Sequence, residues 1–158
     1  MSRLITSSTL TALTLTAAWW IRRNFVVITV SGLSMTPTLK TGDRVLIRRG
    51  TRNLRRGGIV VIARPAMVTG WRDNPPVGRA PKGTRWYIKR AVALAGDPYP
   101  PRAGSKGVVP DDHILVIGDG PQSIDSKQHG PCPRDQILGV VVHRFQRTAV
   151  SAPVPSAD

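Results

Sequence analysis

After about two dozen residues, hydrophobic and polar positions alternate in short runs separated by turn residues. Six of these runs are β-branched or alternating and are bounded by Gly, Pro or Asp, which is the pattern of strands. They are Phe25–Val30, Arg44–Ile47, Ile59–Ala63, Trp86–Leu94, Ile114–Ile117 and Leu138–Phe145. No helix of three turns is predicted beyond the amino terminus. The pattern therefore predicts a mostly β fold.

The amino-terminal run Leu4–Ile21 carries no charge and lies between Arg3 and the pair Arg22-Arg23. As a helix it would span about 27 Å, slightly less than the ~30 Å hydrocarbon core of a bilayer. Trp19-Trp20 at its end resembles an interfacial aromatic belt. The run predicts an uncleaved membrane anchor over residues 1–23.

Two other interpretations of this run are open. Thr16-Ala17-Ala18 could end a cleaved signal peptide, but the tryptophans that follow make a poor cleavage site. A buried amphipathic helix would need a repeating polar face, which the run lacks. The orientation is poorly specified, because Arg3 and the amino terminus compete with Arg22-Arg23, and the positive-inside count slightly opposes a carboxyl domain on the outside. Residues 24–147 are predicted to form one folded domain, and the Ala/Ser/Pro-rich residues 148–158 a disordered tail.

The charge is strongly basic, with a formal net charge of +14. All nine acidic residues are Asp, which excludes a Glu-based acid/base pair and the His-Glu-x-x-His zinc motif. A basic excess suits nucleic acid, an anionic membrane surface or an acidic substrate. The basic residues from Lys40 to Arg64 have no interleaved aromatic platform, so nucleic acid is not expected as a partner.

Cysteine and histidine offer little chemistry. The single cysteine, Cys132, excludes an internal disulfide and a cysteine zinc cluster, and no base is evident beside it. His113, His129 and His143 show no metal-ligand spacing. His129 could complete a triad with Ser34, but a surface loop histidine is the favoured interpretation. No metal or cofactor is predicted.

Ser34 is a candidate nucleophile. It follows the first predicted strand and lies between the apolar residues Leu33 and Met35, with Pro37 stiffening the turn. A serine hydroxyl held in a fixed turn among apolar neighbours suits nucleophilic catalysis. An ordinary exit from strand to turn would use the same residues.

Lys89 lies 55 residues later inside a predicted strand, where it shares one face with Tyr87 and Ala91. Such a lysine either extends its amine to the surface or buries it. Burial disfavours the charged form and lowers the pKa. A base at neutral pH needs a fall of about 3 units from ~10.4, or about 4 kcal/mol. A buried Lys89 could then deprotonate Ser34 without a histidine.

A third segment, Gly118–Gly130, follows an apolar strand and is dense in turn residues. It could be an Asx-type turn and nothing more. Alternatively, Ser123 could hydrogen-bond and orient the amine of Lys89. Two ion pairs would then brace the segment: Asp119 with Arg90, and Asp125 with Lys127.

The three segments together resemble the bacterial type I signal peptidase family (peptidase S26), membrane-bound serine proteases with a Ser/Lys dyad. The similarity covers about residues 24–145. Three boxes carry it: Gly32–Leu39, then Lys89–Val92 with Gly96-Asp97, then Gly118-Asp119 with Ser123–Ser126. Only about thirty residues separate Lys89 from Asp119, which indicates a compact form without the extra β-domain of some members.

The resemblance implies Ser34 as nucleophile, Lys89 as general base and Ser123 as the residue that orients the lysine. It places an oxyanion hole at the backbone N–H of Ser34, with Gly32 and Met35 beside the substrate. Many members carry a hydroxyl where this chain has Gly32, so a second oxyanion donor is unassigned. The third box usually reads Gly-Asp-Asn and Asp-Ser-Arg, whereas this chain has Gly120 and Lys127.

The resemblance also implies a compact antiparallel β-sheet preceded by one transmembrane helix. The expected function is removal of signal or leader peptides from exported precursors at small-x-small sites. The protein would be a monomer in contact with membrane lipid, single-pass in the cell membrane, with its catalytic domain on the extracytoplasmic side.

Three alternatives stay open beside this function. A specialised protease could mature a single peptide or metalloenzyme precursor, which the sequence does not separate from a general signal peptidase. A self-cleaving repressor also uses Ser and Lys, but it begins with a DNA-binding helical domain that this chain lacks. A catalytically inactive basic β-module could bind nucleic acid or anionic lipid.

Overall fold

A computed structural model of the chain describes residues 3–78, 85–104 and 106–145, with the backbone alone described for residues 3–13. The tail predicted for residues 148–158 lies outside the described residues. Helix α1 (Arg3–Asn24) leads directly into seven antiparallel strands. These are β1 (Phe25–Thr29), β2 (Arg44–Arg49), β3 (Ile59–Ala63), β4 (Trp86–Leu94), β5 (His113–Ile117), β6 (Cys132–Pro133) and β7 (Ile137–Phe145).

The mostly β, antiparallel fold predicted from the sequence is confirmed. The six predicted strands are all present, and their ends move by at most two residues, as where β2 continues to Arg49 instead of ending at Ile47. The two-residue strand β6 was not predicted, because two residues carry no alternating pattern. The helix α2 (Ser126–His129) is a single turn. Among the described residues, α1 is therefore the one α-helix of three turns or more.

The strands form one sheet in the order β1-β2-β7-β3-β4-β5-β6. Strand β7, the last in the described sequence, therefore lies between β2 and β3, near the middle of the sheet. Register shifts occur in the β2–β7, β3–β7 and β4–β5 pairs. Such irregularities bend and twist strands locally.

Both faces of the central strands are buried. Val60 and Ile62 pack into one apolar cluster, while Val61 between them packs into another on the opposite face. Alternate residues of a strand point to opposite faces. This double burial explains why β3 is a continuous apolar run rather than an alternating one.

The amino-terminal helix ends with Asn24, whose side chain donates to the carbonyl of Trp20 at 2.8 Å. The indole ring of Trp20 packs edge-on against Phe25, at 6.1 Å between ring centres. Among the described residues, no helix combines the length and the apolar character of a membrane span. The anchor over residues 1–23 stays a prediction.

We predict that Gly139→Ala in β7 destabilises the domain by about 1–3 kcal/mol, the usual range for overpacking. A Cβ at this position would lie 2.7 Å from Cγ2 of Ile47 and 2.9 Å from the backbone carbonyl carbon of Arg48 in β2. Urea unfolding of the two proteins measures the difference. Gly78→Ala is the matched control, because a Cβ there meets no atom within 4 Å. Equal stability of Gly139→Ala and wild type would contradict the packing of β2 on β7.

Candidate active site

The loop between β1 and β2 carries Ser34. Met35 and Leu39 on this loop are 2% and 1% exposed and belong to the apolar cluster beneath it. The amide of Leu39 donates to the carbonyl of Met35 at 2.8 Å, and the amide of Thr36 donates to that of Leu33 at 3.0 Å. Two buried side chains and two tight turns thus hold the loop, while Ser34 itself is half-buried.

A charged contact that the sequence did not reveal holds the other end of this loop. Arg144 of β7 donates to the carbonyl of Thr38 at 2.7 Å and pairs with the carboxylate of Asp43 at 2.9 Å. Asp43 is 3% exposed and also accepts the amide of Lys40 at 2.8 Å. No local pattern links residues so far apart in the chain, so only the fold shows the pair.

Lys89 lies within β4 and is 2% exposed. Its Nζ donates to Oγ of Ser123 at 2.7 Å and lies 5.1 Å from the ring centre of Tyr87. Burial lowers the pKa of Lys89, because removal from water disfavours the ammonium form; the carboxylate of Asp125 opposes this effect, and the ammonium of Lys127 adds to it. The amine is therefore both fixed in position and biased toward its neutral form.

The segment after β5 is held by its own carboxylate. Asp125 caps α2 by accepting the amide of Lys127 at 3.1 Å, and it also accepts the amide of Gly118 at 3.0 Å. Ser126 accepts the amide of Val116 from β5 at 2.9 Å. Ser123 sits within this network and is 6% exposed.

Two glycines let this segment approach the serine loop. The amide of Gly120 donates to the carbonyl of Ser34 at 2.9 Å. A Cβ at Gly120 would lie 2.5 Å from the carbonyl oxygen of Leu33, and one at Gly118 would overlap Ser123 and the carbonyl of Ser34. Gly120, which departs from the usual family residue, therefore fits the backbone of this particular chain.

Both ion pairs considered from the sequence exist in the structure. Arg90 donates twice to Asp119, at 2.9 Å from Nε and 2.6 Å from Nη2. This pairing holds the pKa of Asp119 below its usual range. Arg90 also donates to the carbonyl of Gly57 at 2.7 Å and to the hydroxyl of Thr38 at 3.3 Å. The second pair is longer, with 3.9 Å between Lys127 and Asp125.

Ser34 and Lys89 line the same cleft, which has a volume of about 560 Å³. One wall is the segment 28–35 and the other is the segment 85–89. Gly32 and Met35 also line it, although the Met35 side chain is directed into the core. The backbone N–H of Ser34 donates to no acceptor within the described ranges, so it is free to bind a developing oxyanion.

His129 and Cys132 do not line this cleft. The ring of His129 lies 6.0 Å from that of Trp71, so a triad with Ser34 is not formed. Cys132 is fully buried, and burial raises the pKa of its thiol, as expected for an inert structural cysteine.

Among the cleft residues that the sequence interpretation did not single out are four polar or exposed ones: Arg64, Arg85, Gln122 and Ile124. Alternation along β4 could have identified Arg85, because it precedes Tyr87 by two residues and Lys89 by four, and such residues share one face of a strand. Arg64 joins the site through strand pairing, which no local pattern shows.

We predict that wild-type protein gains stability relative to Lys89→Met as the pH rises. Lys89 has a lowered pKa in the folded state, whereas in the unfolded state it titrates near 10.5. Between these two values the unfolded state binds more protons, so the stability of the wild type increases with pH. Urea unfolding at several pH values from 6 to 10 measures the difference, and exposed Lys40→Met corrects for other titrating groups. A constant difference across this range would contradict the burial of a titrating amine.

Comparison with known proteins gives one matching family and several similar proteins. The family described as signal peptidase, peptidase S26, matches residues 3–98 and 98–146. Mitochondrial inner membrane protease subunit 1 of Schizosaccharomyces pombe is 28% identical over 129 residues, covering 76% of this chain and 73% of that protein. Probable signal peptidase I-2 of Synechocystis is 32% identical over 139 residues, covering 71% of this chain and 59% of that protein. Signal peptidase I of Leptolyngbya laminosa is 28% identical over 152 residues, covering 78% and 71% respectively. The chain belongs to the signal peptidase family, peptidase S26.

Proposed function

We propose that this protein is a serine endopeptidase that removes signal or leader peptides from exported precursors, with Ser34 as nucleophile and Lys89 as general base. The observation that carries the proposal is the buried amine of Lys89, which shares a cleft with Ser34 and is hydrogen-bonded to Ser123 at 2.7 Å. Membership of the peptidase family supports the reaction type.

The mechanism follows from the hydrogen-bonding capacity of a neutral amine. In this form Lys89 has two N–H donors and one lone pair. One N–H donates to Ser123, which leaves the lone pair to accept the hydroxyl proton of Ser34 as its oxygen attacks the scissile carbonyl. The resulting ammonium gives this proton to the leaving amine. Lys89 then takes a proton from the water that attacks the acyl-enzyme, and returns this proton to Oγ of Ser34 as the ester bond breaks, which releases the peptide acid and restores the neutral amine.

Charge that develops on the carbonyl oxygen needs a donor already in position. The N–H of Ser34 fills this role in our proposal, because no acceptor within the described residues occupies it. A single oxyanion-hole donor contributes about 10²–10³ in rate. Gly32 contributes no side-chain hydroxyl, and its φ of +93° favours glycine at this position.

The precursor binds as an added strand. Strand β5 pairs with β4 only from Arg90 onward, so the residues of β4 from Trp86 to Lys89 have an open edge on the side away from β3. Strand β1 is an edge strand of the sheet. An extended peptide can therefore form backbone hydrogen bonds along the cleft, which is the usual geometry of β-augmentation. We expect small side chains before the cleaved bond, as in precursors with small-x-small sites.

We further propose that α1 attaches the enzyme to a membrane, with the catalytic domain on the extracytoplasmic side. The charge-free run Leu4–Ile21 supports attachment, as do Trp19 and Trp20, which are 58% and 51% exposed. The guanidinium of Arg23 lies 4.9 Å from the ring centre of Trp19. Aromatic and basic residues together are typical of a membrane interface.

We predict that Ser34→Ala and Lys89→Ala each lower cleavage of a small-x-small precursor by about 10²–10⁴-fold or more. Wild-type activity should rise with pH as Lys89 loses its proton, with a midpoint below the ordinary 10.5, because burial lowers its pKa. Initial rates in detergent from pH 6 to 10 provide the test. Exposed Lys106→Ala is the matched control and should behave as wild type.

Full activity in Lys89→Arg would disprove the general-base role, since a guanidinium does not give up its proton here. Salt-dependent nucleic-acid binding without cleavage would favour the inactive basic module.

We predict that the full chain resists alkaline carbonate extraction from membranes and that Leu13→Arg releases it. An arginine near the centre of a membrane helix costs about 2.5–3.5 kcal/mol. Val68→Arg is the matched control, because Val68 is 95% exposed on the domain surface and lies far from α1 in sequence. Extraction of the wild type as readily as Leu13→Arg would contradict the anchor.

A further inference from the structure

The end of the cleft away from Ser34 carries two adjacent arginines. The amide of Arg64 donates to the carbonyl of Arg85 at 2.9 Å, directly beyond the pairing of Ala63 with Trp86. The two residues are therefore cross-strand neighbours at the end of the β3–β4 pair. Like charges placed opposite each other on a sheet are destabilising, so this arrangement favours an anion that binds between them.

The arginine pair is part of the same wall as the proposed catalytic lysine. The guanidinium of Arg64 lies 6.0 Å from the ring centre of Tyr87, and the amine of Lys89 lies 5.1 Å from the same centre. Arg64 and Arg85 line the cleft of Ser34 and also an adjoining cleft of about 540 Å³. They stand where the two clefts meet.

No acidic side chain neutralises this pair within the part of the chain that the structure describes. The ion pairs found there use five other cations, namely Arg56, Arg90, Lys127, Arg134 and Arg144. No Asp among the described residues lines either cleft. Arg64 is half-buried and rests on an aromatic ring, which limits its motion and presents its charge in a fixed place.

We propose that Arg64 and Arg85 form a specificity subsite for an acidic side chain of the precursor, a conclusion that rests on the proposed peptidase function. A guanidinium binds a carboxylate through two parallel hydrogen bonds, which gives direction as well as strength. Arg85 precedes Lys89 by four residues on β4, or about 13 Å along an extended strand. A peptide added to this edge has the same spacing, so the acidic residue lies about three to five residues from the cleaved bond.

The test uses the full chain in neutral detergent and a set of peptides with one small-x-small site. Each peptide carries Glu or its neutral isostere Gln at a single position, three, four or five residues to either side of the bond. We expect one position at which Glu raises kcat/KM over Gln by roughly 5–10-fold, mainly through KM. The ratio should fall toward one at high salt.

Variants assign this preference to the pair. Arg64→Gln and Arg85→Gln should each reduce the ratio of Glu to Gln, and Arg85→Glu should reverse it in favour of a Lys peptide. Arg85→Lys should keep part of the preference. Arg72→Gln is the matched control, because Arg72 is exposed and lines neither cleft; its ratio should equal that of wild type.

Failure of this subsite and failure of the proposed function give different results. Cleavage that depends on Ser34 but is equal for Glu and Gln at every position overturns the subsite alone. Absence of any cleavage overturns the peptidase function with these peptides. In that case, anisotropy of labelled peptides on Ser34→Ala still decides the subsite, which requires tighter binding of Glu than of Gln and loss of the difference in Arg85→Gln. If the Glu and Gln peptides bind equally well, and Arg85→Gln weakens binding of the protein to anionic vesicles, the pair binds lipid headgroups. That result would overturn the proposal.

Discussion

The removal of one lysine amine from water is the constraint on which the site depends. A buried ammonium is costly, so the surroundings of Lys89 favour the neutral amine. Ser123 accepts a hydrogen bond from that amine and carries no charge, so it does not favour the ammonium form. An aspartate in the place of Ser123 would favour the ammonium form, which has no lone pair to accept a proton. The carboxylate that raises the pKa of Lys89, that of Asp125, instead accepts hydrogen bonds from the backbone amides of Gly118 and Lys127.

The other charges near the cleft serve a different purpose, because they hold backbone in place. Arg90 joins Asp119, Thr38 and Gly57, which belong to three separate segments of the chain. Arg144 fixes the end of the serine loop through Thr38 and Asp43. Rigid scaffolds of this kind keep reacting groups within the narrow range of geometry that catalysis needs.

Local sequence patterns predicted the strands and the three segments of the site, because a strand or a motif is encoded by a few neighbouring residues. Alternation marks strands such as β4, and motif spacing marks Ser34, Lys89 and Ser123. Contacts between residues that are far apart in the chain could not be predicted from local patterns. Examples are the ion pair of Arg144 with Asp43 and the placement of Arg64 beside Arg85. The membrane anchor was predicted from the charge-free run Leu4–Ile21, which the local sequence shows without reference to the fold.

The place of β7 in the sheet has a consequence for the timing of activity. Strands β1 and β2 carry the serine loop, whereas β3 to β6 carry the lysine and its serine partner, and within the sheet only β7 connects these two halves. Because β7 follows the other six strands in the described sequence, the half that carries Ser34 and the half that carries Lys89 are joined within the sheet only after all the other strands have been synthesised. In the proposed mechanism, a molecule in which β7 is unpaired therefore has no base held beside Ser34 and is inactive.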